Sequence, residues 1–283
     1  MAKVKYDPII KDWIKLPKGS KEGMYTDGFL WNTFSSAKKV MKKKDVDLPV
    51  AVSGYPGTGK STIVIQLASI CDITFNHKRM YQNAGDFIEG VKNSKIGEAH
   101  VLDESYKDLN SSDVRREVGR ALLNVMNIIR QKRLYIFIIL PNFFDLSKNI
   151  AIFRTRWLIH CYSPTFGEIG YFTAFGKSTK QKLYIKGKRE ENYNVVKANF
   201  FGRFKANIPE NFDWDAYLEM KDKNLKDVFI SSQEDRSSVK QRNLLIYHLH
   251  HTHAYTTQKL SDITGVSLRH IQNIIKKLKE IMA

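Results

Sequence analysis

Two hydrophobic periods alternate along the first part of the chain. Short apolar runs of strand length occur at 48–53, 72–76, 99–103, 134–140 and 157–162. Between them lie segments whose apolar residues recur at helical spacing, at 29–41, 62–70, 86–91 and 112–129, the last capped by Ser112. Strands that alternate with helices predict an α/β protein whose parallel sheet is flanked by helices.

The pattern changes on either side of this region. Residues 1–27 are expected to form an irregular arm, and residues 168–175 and 182–185 two short strands around a hairpin at 176–180. The polar run 231–238 is typical of a linker. We therefore divide the chain into an arm with a helix (1–47), an α/β core (48–165), a basic, aromatic, β-rich extension (166–210), a linker (211–238) and an all-α segment (239–283).

A complete phosphate-binding motif follows the first core strand. Gly54 to Ser61 read G-Y-P-G-T-G-K-S, which is a P-loop (Walker A) sequence between a strand and a helix. Its amides would cradle phosphates at the helix N-terminus, with Lys60 on the β- and γ-phosphates and Ser61 on Mg²⁺. The motif predicts ATP and Mg²⁺ as cofactors, bound by Gly54, Tyr55, Pro56, Gly57, Thr58, Gly59, Lys60, Ser61 and Thr62.

Two acids end the strand 99–103. Asp103 is predicted to hold Mg²⁺ and Glu104 to polarise the attacking water, which is the pair that phosphoryl transfer to water needs. The alternative is a solvated acidic strand end. The position of these acids, some 43 residues after the P-loop lysine, favours a Walker B element.

Three more residues are candidates for catalysis. Asn142 follows the next strand and is predicted to sense the γ-phosphate, although a Pro-Asn turn without nucleotide contact is the alternative. Arg154 and Arg156 are candidates for an arginine that reaches into a neighbouring subunit's site. Arg130 and Arg133 compete for that role, and each could instead be a surface cation.

The charge of the chain indicates a polyanionic partner. Lys and Arg number 46 against 29 Asp and Glu, giving a net charge of +17, which favours nucleic acid over a membrane surface or a compositional habit. Lys186, Lys188 and Arg189 lie in a basic segment, 177–205, whose interleaved aromatic residues are expected to stack on single strands. No apolar run reaches the roughly 18 residues of a membrane span, so we expect a cytoplasmic protein without a membrane partner.

Residues 257–278 have the pattern of a helix-turn-helix. A short helix ends at Gly265, and a second begins after Ser267 with Leu268, Ile271 and Ile275 facing inward. A three-helix bundle for protein contact is the alternative. If the second helix reads DNA, the residues that face outward to do so are Arg269, His270, Gln272, Asn273 and Lys276.

The Walker motifs and Asn142 resemble those of P-loop ATPases with an additional catalytic glutamate. Within that class, residues 128–142 and 150–156 are similar to the zonular-occludens-toxin-like ATPases of the FtsK–HerA motor group, and asparagine at 142 also fits the AAA+ pattern. The resemblance implies a RecA-like (ASCE) fold and a ring or filament of identical subunits that moves DNA for a virus, plasmid or mobile element. An AAA+-type, ATP-switched regulator of replication or transposition is the alternative. A nucleotide kinase explains the Walker B pair and the charge less well.

Overall fold

The computed structural model describes residues 2–18, 20, 22–103, 123, 125, 128–165, 167–210 and 212–282. The chain forms two compact units, residues 1–220 and 221–283. Glu104 and most of the predicted helix 112–129 lie outside the described residues. Val125 and Ile129, which belong to the predicted apolar stripe of that helix, are fully buried.

Strands and helices alternate between Leu48 and Asp103, as the sequence predicts. The described strands are β1 (Ala2–Asp7), β2 (Asp12–Lys15), β3 (Met24–Thr26), β4 (Leu48–Ser53), β5 (Met80–Tyr81), β6 (Ala99–Asp103), β7 (Tyr135–Leu140), β8 (Trp157–Tyr162), β9 (Tyr171–Phe175) and β10 (Phe200–Arg203). The described α-helices are α1 (Gly28–Lys43), α2 (Lys60–Cys71), α3 (Ala84–Asn93), α4 (Lys177–Gly187), α5 (Trp214–Thr252), α6 (Thr257–Thr264) and α7 (Leu268–Met282).

A seven-stranded sheet forms the centre of this unit, with the strand order β10-β9-β8-β4-β7-β6-β5. The five neighbouring strands β8, β4, β7, β6 and β5 are parallel. At the other side of the sheet, β9 pairs antiparallel with β8, and β10 pairs antiparallel with β9. The α/β prediction is therefore confirmed. β7 lies between β4 and β6, with Ser53 opposite Leu140 and Asp103 opposite Ile139. This register brings the carboxyl ends of β4, β6 and β7 to one edge of the sheet.

Helix α2 is more deeply buried than its predicted single apolar face implies. Every residue from Ile63 to Cys71 is buried. On one side, α2 packs in the cluster that contains β4, β6 and β7. On another, Ile70 packs with Val4, Trp13 and Met24 of the three-stranded sheet β2-β1-β3, and Trp13 Nε1 donates to Ser69 O at 2.8 Å. The helix that follows the P-loop is thus held in place by two sheets.

Two predictions for irregular or weak segments are wrong. Residues 1–27 are not an arm, because Ala2–Tyr6 alternates small or apolar residues with lysines, the period of a half-buried strand. Residues 72–76 are not a strand, because the Asp72 carboxylate turns the chain by accepting from Thr74 N at 2.9 Å. The same Asp72 carboxylate forms an ion pair with Arg79 Nη1 at 2.6 Å.

The predicted hairpin at 176–180 and strand at 182–185 are also wrong. These residues form the helix α4, whose buried positions are Lys180, Leu183, Tyr184 and Gly187. Their spacing of three and four residues is the helical period, and the aliphatic stem of Lys180 fills a position that the charge of the residue obscures in the sequence. The segment is not separate from the core either, because β9 pairs with β8.

The predicted linker at 211–238 is largely helical, because α5 runs from Trp214 to Thr252. Its polar sequence fits a helix as well as a linker, since propensity alone does not exclude Ser, Gln, Asp and Arg from a helix. In the second unit, α6 ends at Gly265 in the left-handed conformation (φ 66°), and α7 follows. Ile246, Leu260, Ile271 and Ile274 form the buried cluster of this unit. The predicted helices are present, and Ile274 is a core residue that the prediction omitted.

We expect Phe34→Ala to lower the free energy of unfolding by about 3 to 5 kcal/mol, because it leaves a cavity. Phe34 is 1% exposed on α1 and contacts Phe137 and Trp157. Phe29→Ala, on the same helix but 62% exposed, is the matched control and should cost about 1 kcal/mol. Urea denaturation of both variants checks the difference, and equal losses would contradict the described packing.

Candidate nucleotide site

The P-loop joins the end of β4 to the start of α2. Gly54, Gly57 and Gly59 have positive φ angles of 146°, 80° and 87°, a region that residues with a side chain rarely adopt. Gly59 caps α2 without a side chain, so the amides of the first helical turn face the loop. The loop can therefore offer backbone N–H groups and the positive end of a helix dipole to an anion.

Lys60 lies inside this loop. Its side chain is 7% exposed, and Nζ donates to Gly54 O at 2.7 Å and to Tyr55 O at 2.9 Å. These carbonyls hold the ammonium at the centre of the loop, where a phosphate oxygen could replace them. Thr58 Oγ1 also donates to Tyr55 O, at 2.8 Å, which tightens the turn.

Ser61 and Asp103 bring the two Walker motifs together. Ser61 Oγ donates to Asp103 Oδ2 at 3.2 Å, although the two residues are 42 positions apart. Asp103 is fully buried at the end of β6. A serine hydroxyl beside a carboxylate is an oxygen-only donor set, which fits Mg²⁺, a cation held in proteins by one or two carboxylates and by substrate phosphates.

Neighbouring segments fix the shape of the loop. Gly54 N donates to Pro141 O at 3.2 Å, so the loop is bonded to the segment that follows β7. A Cβ atom on Gly54 would collide with Cys161 O of β8. A Cβ atom on Gly59 would lie 2.9 Å from the ring of Phe204. Close backbone and aromatic neighbours, as well as the positive φ angles, thus require glycine at these positions.

Asn142 lies at the same edge of the sheet as the P-loop. Its Oδ1 accepts from Phe144 N at 3.2 Å and from the Tyr193 hydroxyl at 3.1 Å. Tyr193 in turn accepts from Phe143 N at 2.8 Å. Because both bonds to Asn142 end on Oδ1, they fix the orientation of the amide, in which Nδ2 is the donor group.

His160 extends this network to β8. Its Nδ1 lies 3.1 Å from Ser53 Oγ, the last residue before the P-loop, and its ring stacks on Tyr193 at 3.6 Å. Burial, with the nearby Lys60 charge in second place, lowers the pKa of His160 to about 4. Burial raises the pKa of Tyr193 to about 12. Both groups are therefore neutral at pH 7.

Arg154 and Arg156 lie at the opposite edge of the sheet. Arg156 N donates to Pro49 O at 2.6 Å, at the amino end of β4. Burial raises the pKa of Asp47, and the positive charges of Arg130, Arg156 and Arg154 act to lower it. The six residues of β4 separate that edge from the P-loop by about 16 Å. The geometry therefore does not bring either arginine to the P-loop of its own chain.

The residues predicted to contact DNA are exposed, as an interface requires. Lys186, Lys188 and Arg189 lie at the end of α4 and just after it, and α7 exposes Arg269, His270, Gln272, Asn273 and Lys276. The aromatic residues of segment 177–205 are less available than the sequence implies. Tyr184 and Phe204 are 3% and 5% exposed and belong to the core, whereas Phe201 is 73% exposed.

The fold and the site define an α/β protein with a P-loop between a parallel strand and a helix, and with a buried acid of a second strand bonded to that loop. Neither a protein-family profile nor a curated protein matches the sequence. Among solved structures, the chain is similar to the genome packaging NTPase B204 from Sulfolobus turreted icosahedral virus 2 in complex with AMP. The two are 13% identical over 56% of this chain and 92% of that one, with a TM-score of 0.30.

No helix within the described part of the chain has both the length and the hydrophobicity needed to span a bilayer. Four residues that the motifs do not include contact the site. Ser53, His160 and Tyr193 belong to the network beside Asn142, and the Tyr217 hydroxyl donates to Asp103 Oδ2. Ser53 ends β4, and His160 is its partner on β8. Both strands were correctly predicted, so the position of these residues near the carboxyl edge was a signal. Tyr193 and Tyr217 reach the site from distant segments, and nothing local in the sequence marks them.

We expect the free energy of unfolding to fall as the pH drops from 6.5 towards 4. The pKa of His160 is about 4 in the folded protein against an ordinary 6.5, so the unfolded chain binds the proton more tightly. The stabilisation is fully present above pH 6.5 and is lost as the pH falls. Between pH 7 and pH 5 the wild type should lose about 1 to 2 kcal/mol more than His160→Gln.

Denaturant titrations at both pH values measure this difference. His100 is the internal control, because burial lowers its pKa to about 4 as well and it is present in both proteins. Parallel losses in the wild type and the variant would show that His160 does not have the lowered pKa.

Proposed function

We propose that the chain is an ATP-hydrolysing P-loop protein that works as a DNA motor in a homo-oligomer. The observation that carries the proposal is the bond between Ser61 and Asp103, together with the burial of Lys60 in the loop. A Mg²⁺–nucleotide site needs a lysine within the phosphate-binding loop and a serine hydroxyl beside a carboxylate.

The residues of the loop bind and orient the triphosphate. The backbone N–H groups at the start of α2 would face the phosphate oxygens, and Lys60 would exchange its carbonyl partners for those oxygens. Ser61 and Asp103 would hold Mg²⁺, which neutralises charge on the phosphates when bound. Asn142 Nδ2 would donate to the γ-phosphate. Glu104, the next residue after Asp103, is proposed to orient the attacking water.

The oligomer is supported by the position of the arginines. Arg154 and Arg156 are exposed at the edge of the sheet opposite the P-loop. If either arginine stabilises the transferring phosphoryl group, it therefore acts in the site of a neighbouring subunit. A ring or filament in which the amino edge of one sheet faces the carboxyl edge of the next would bring these two arginines to that site.

DNA binding is supported by charge and exposure. The net charge is +17, and the lysines and arginines at 186–189 are exposed. In the second unit, the exposed face of α7 combines amides and cations, the groups that read base edges and phosphates. An ATP-switched DNA-binding regulator would use the same groups. Slow turnover with ATP-dependent assembly would favour it over a motor, whereas fast, DNA-stimulated turnover with directional movement would favour the motor.

We expect Lys60→Ala to lower the affinity for ATP more than about 100-fold, because no ammonium group then balances the charge of the phosphates. Glu104→Gln should bind ATP with wild-type affinity and hydrolyse it at less than about one hundredth of the wild-type rate. Isothermal titration and a phosphate-release assay measure the two effects. Lys95→Ala, an exposed lysine remote from the loop, is the control. Wild-type hydrolysis by Glu104→Gln would show that Glu104 is not the catalytic carboxylate.

We expect charge reversal of Lys186, Lys188 and Arg189 to weaken binding to all duplexes and to flatten its salt dependence. The change of Lys42, Lys43 and Lys44 to Glu alters the net charge equally, at the exposed end of α1, and is the matched control. Fluorescence anisotropy at two salt concentrations measures both. Equal losses of DNA affinity in the two triple variants would show that only the net charge matters.

We expect Arg269→Ala combined with Asn273→Ala to lower sequence preference, with each base contact worth about 1 to 3 kcal/mol. ATP hydrolysis without DNA should not change, because α7 lies in the second unit. Footprinting on a selected duplex and an ATPase assay measure the two effects. An unaltered footprint would show that the three helices form a protein-contact bundle.

A further inference from the structure

A tyrosine from a distant helix donates to the acid of the candidate metal site. The Tyr217 hydroxyl donates to Asp103 Oδ2 at 3.0 Å, across 114 positions of the chain. Ser61 Oγ donates to the same oxygen at 3.2 Å. One carboxylate oxygen therefore receives a hydroxyl from the P-loop helix and a hydroxyl from the first turn of α5.

The tyrosine is fixed in position by its surroundings. Its ring is fully buried, 5.9 Å from the ring of Phe212 and 5.4 Å from that of Trp214. Phe212 itself stacks on Phe75 at 5.8 Å. These contacts leave the Tyr217 ring little freedom to rotate, so they set the direction in which the hydroxyl points.

The backbone of the same turn is also held. Asp213 Oδ1 accepts from Ala216 N at 3.0 Å, and Asp213 O accepts from Tyr217 N at 3.3 Å. An aspartate that accepts from an amide three residues later is a helix N-cap. The ring and the backbone of Tyr217 are therefore both held by contacts within the chain.

We propose that Tyr217 is a positioning residue for Asp103 in the Mg²⁺–nucleotide site. The inference rests on the proposed function and deepens it. A hydroxyl on Oδ2 fixes the plane of the carboxylate and compensates its burial, because a buried charge needs hydrogen bonds. Outer-shell donors of this kind orient the ligand that holds a metal, and their loss typically costs about 10- to 100-fold in metal affinity.

A second consequence concerns the helix. The hydrogen bond couples Asp103 and Tyr217 in both directions. If Mg²⁺ or nucleotide moves the Asp103 carboxylate, the first turn of α5 therefore responds as well. Addition of ATP with Mg²⁺ should change amide hydrogen exchange at 213–217, and this change should depend on the tyrosine hydroxyl.

The test uses Tyr217→Phe in the full chain. The Mg²⁺ concentration that half-saturates the metal-dependent binding of a fluorescent ATP analogue should rise about 10-fold. Binding of the analogue without Mg²⁺ should stay within about twofold of wild type, because the P-loop is unchanged. Tyr135→Phe is the matched control: it removes the hydroxyl of a 4% exposed tyrosine at the amino end of β7, and the Mg²⁺ requirement should not change.

A double-mutant cycle separates positioning from general stability. In an Asp103→Asn background, Tyr217→Phe should have little further effect on the Mg²⁺ requirement, because its partner is already changed. The proposal would be overturned if Tyr217→Phe raised the Mg²⁺ requirement equally in the wild-type and Asp103→Asn backgrounds. It would also be overturned if Tyr217→Phe and Tyr135→Phe had the same Mg²⁺ requirement. A wild-type protein that binds no nucleotide would overturn the proposed function as well, whereas normal wild-type binding with an unaffected Tyr217→Phe would overturn this inference alone.

Discussion

The pairing of β7 with β4 on one side and with β6 on the other aligns the two halves of the candidate nucleotide site. In this register Ser53 is level with Leu140, and Asp103 is level with Ile139. A slip of one residue would move a strand by about 3.3 Å and would turn Asp103 to the other face of the sheet. The bond from Ser61 to Asp103 tolerates neither change. The chemistry of the site therefore depends on the backbone hydrogen bonds of a strand that carries no candidate catalytic residue of its own.

Burial on both faces makes this register specific. All six residues of β7 are buried, and those of β4 are as well, as expected of central strands in a parallel sheet. Helix α2 is enclosed in turn by the main sheet and by the sheet β2-β1-β3. Helix α2 therefore cannot shift without disturbing two cores, and the P-loop is anchored at both ends by buried elements.

The sequence predicts the parts of the fold that rest on local patterns. The strands β4, β6, β7 and β8 and the helices α1, α2 and α3 follow from apolar periodicity, and the P-loop follows from its motif. The errors have physical causes. A charged residue with an aliphatic stem, Lys180, hides the helical period of α4, and alternating lysines hide β1.

Long-range contacts are the second reason why the sequence does not predict the whole site. Tyr193 and Tyr217 meet Asn142 and Asp103 over 51 and 114 positions, and one sequence holds no local trace of such a meeting. The Walker residues could be assigned because the motif specifies their neighbours within a few positions. The residues that orient them could not, because tertiary packing alone selects which aromatic side chain arrives.

The partly buried residues beside the P-loop have a consequence for kinetics. Burial lowers the pKa of His160 to about 4 and raises the pKa values of Tyr193 and Cys161 to about 12. These three groups keep a single protonation state over roughly five pH units around neutrality. Their own charge therefore does not change across that range. A bend in a pH–rate profile near neutral pH would therefore report the titration of the nucleotide or of another acid, and it would not report this network.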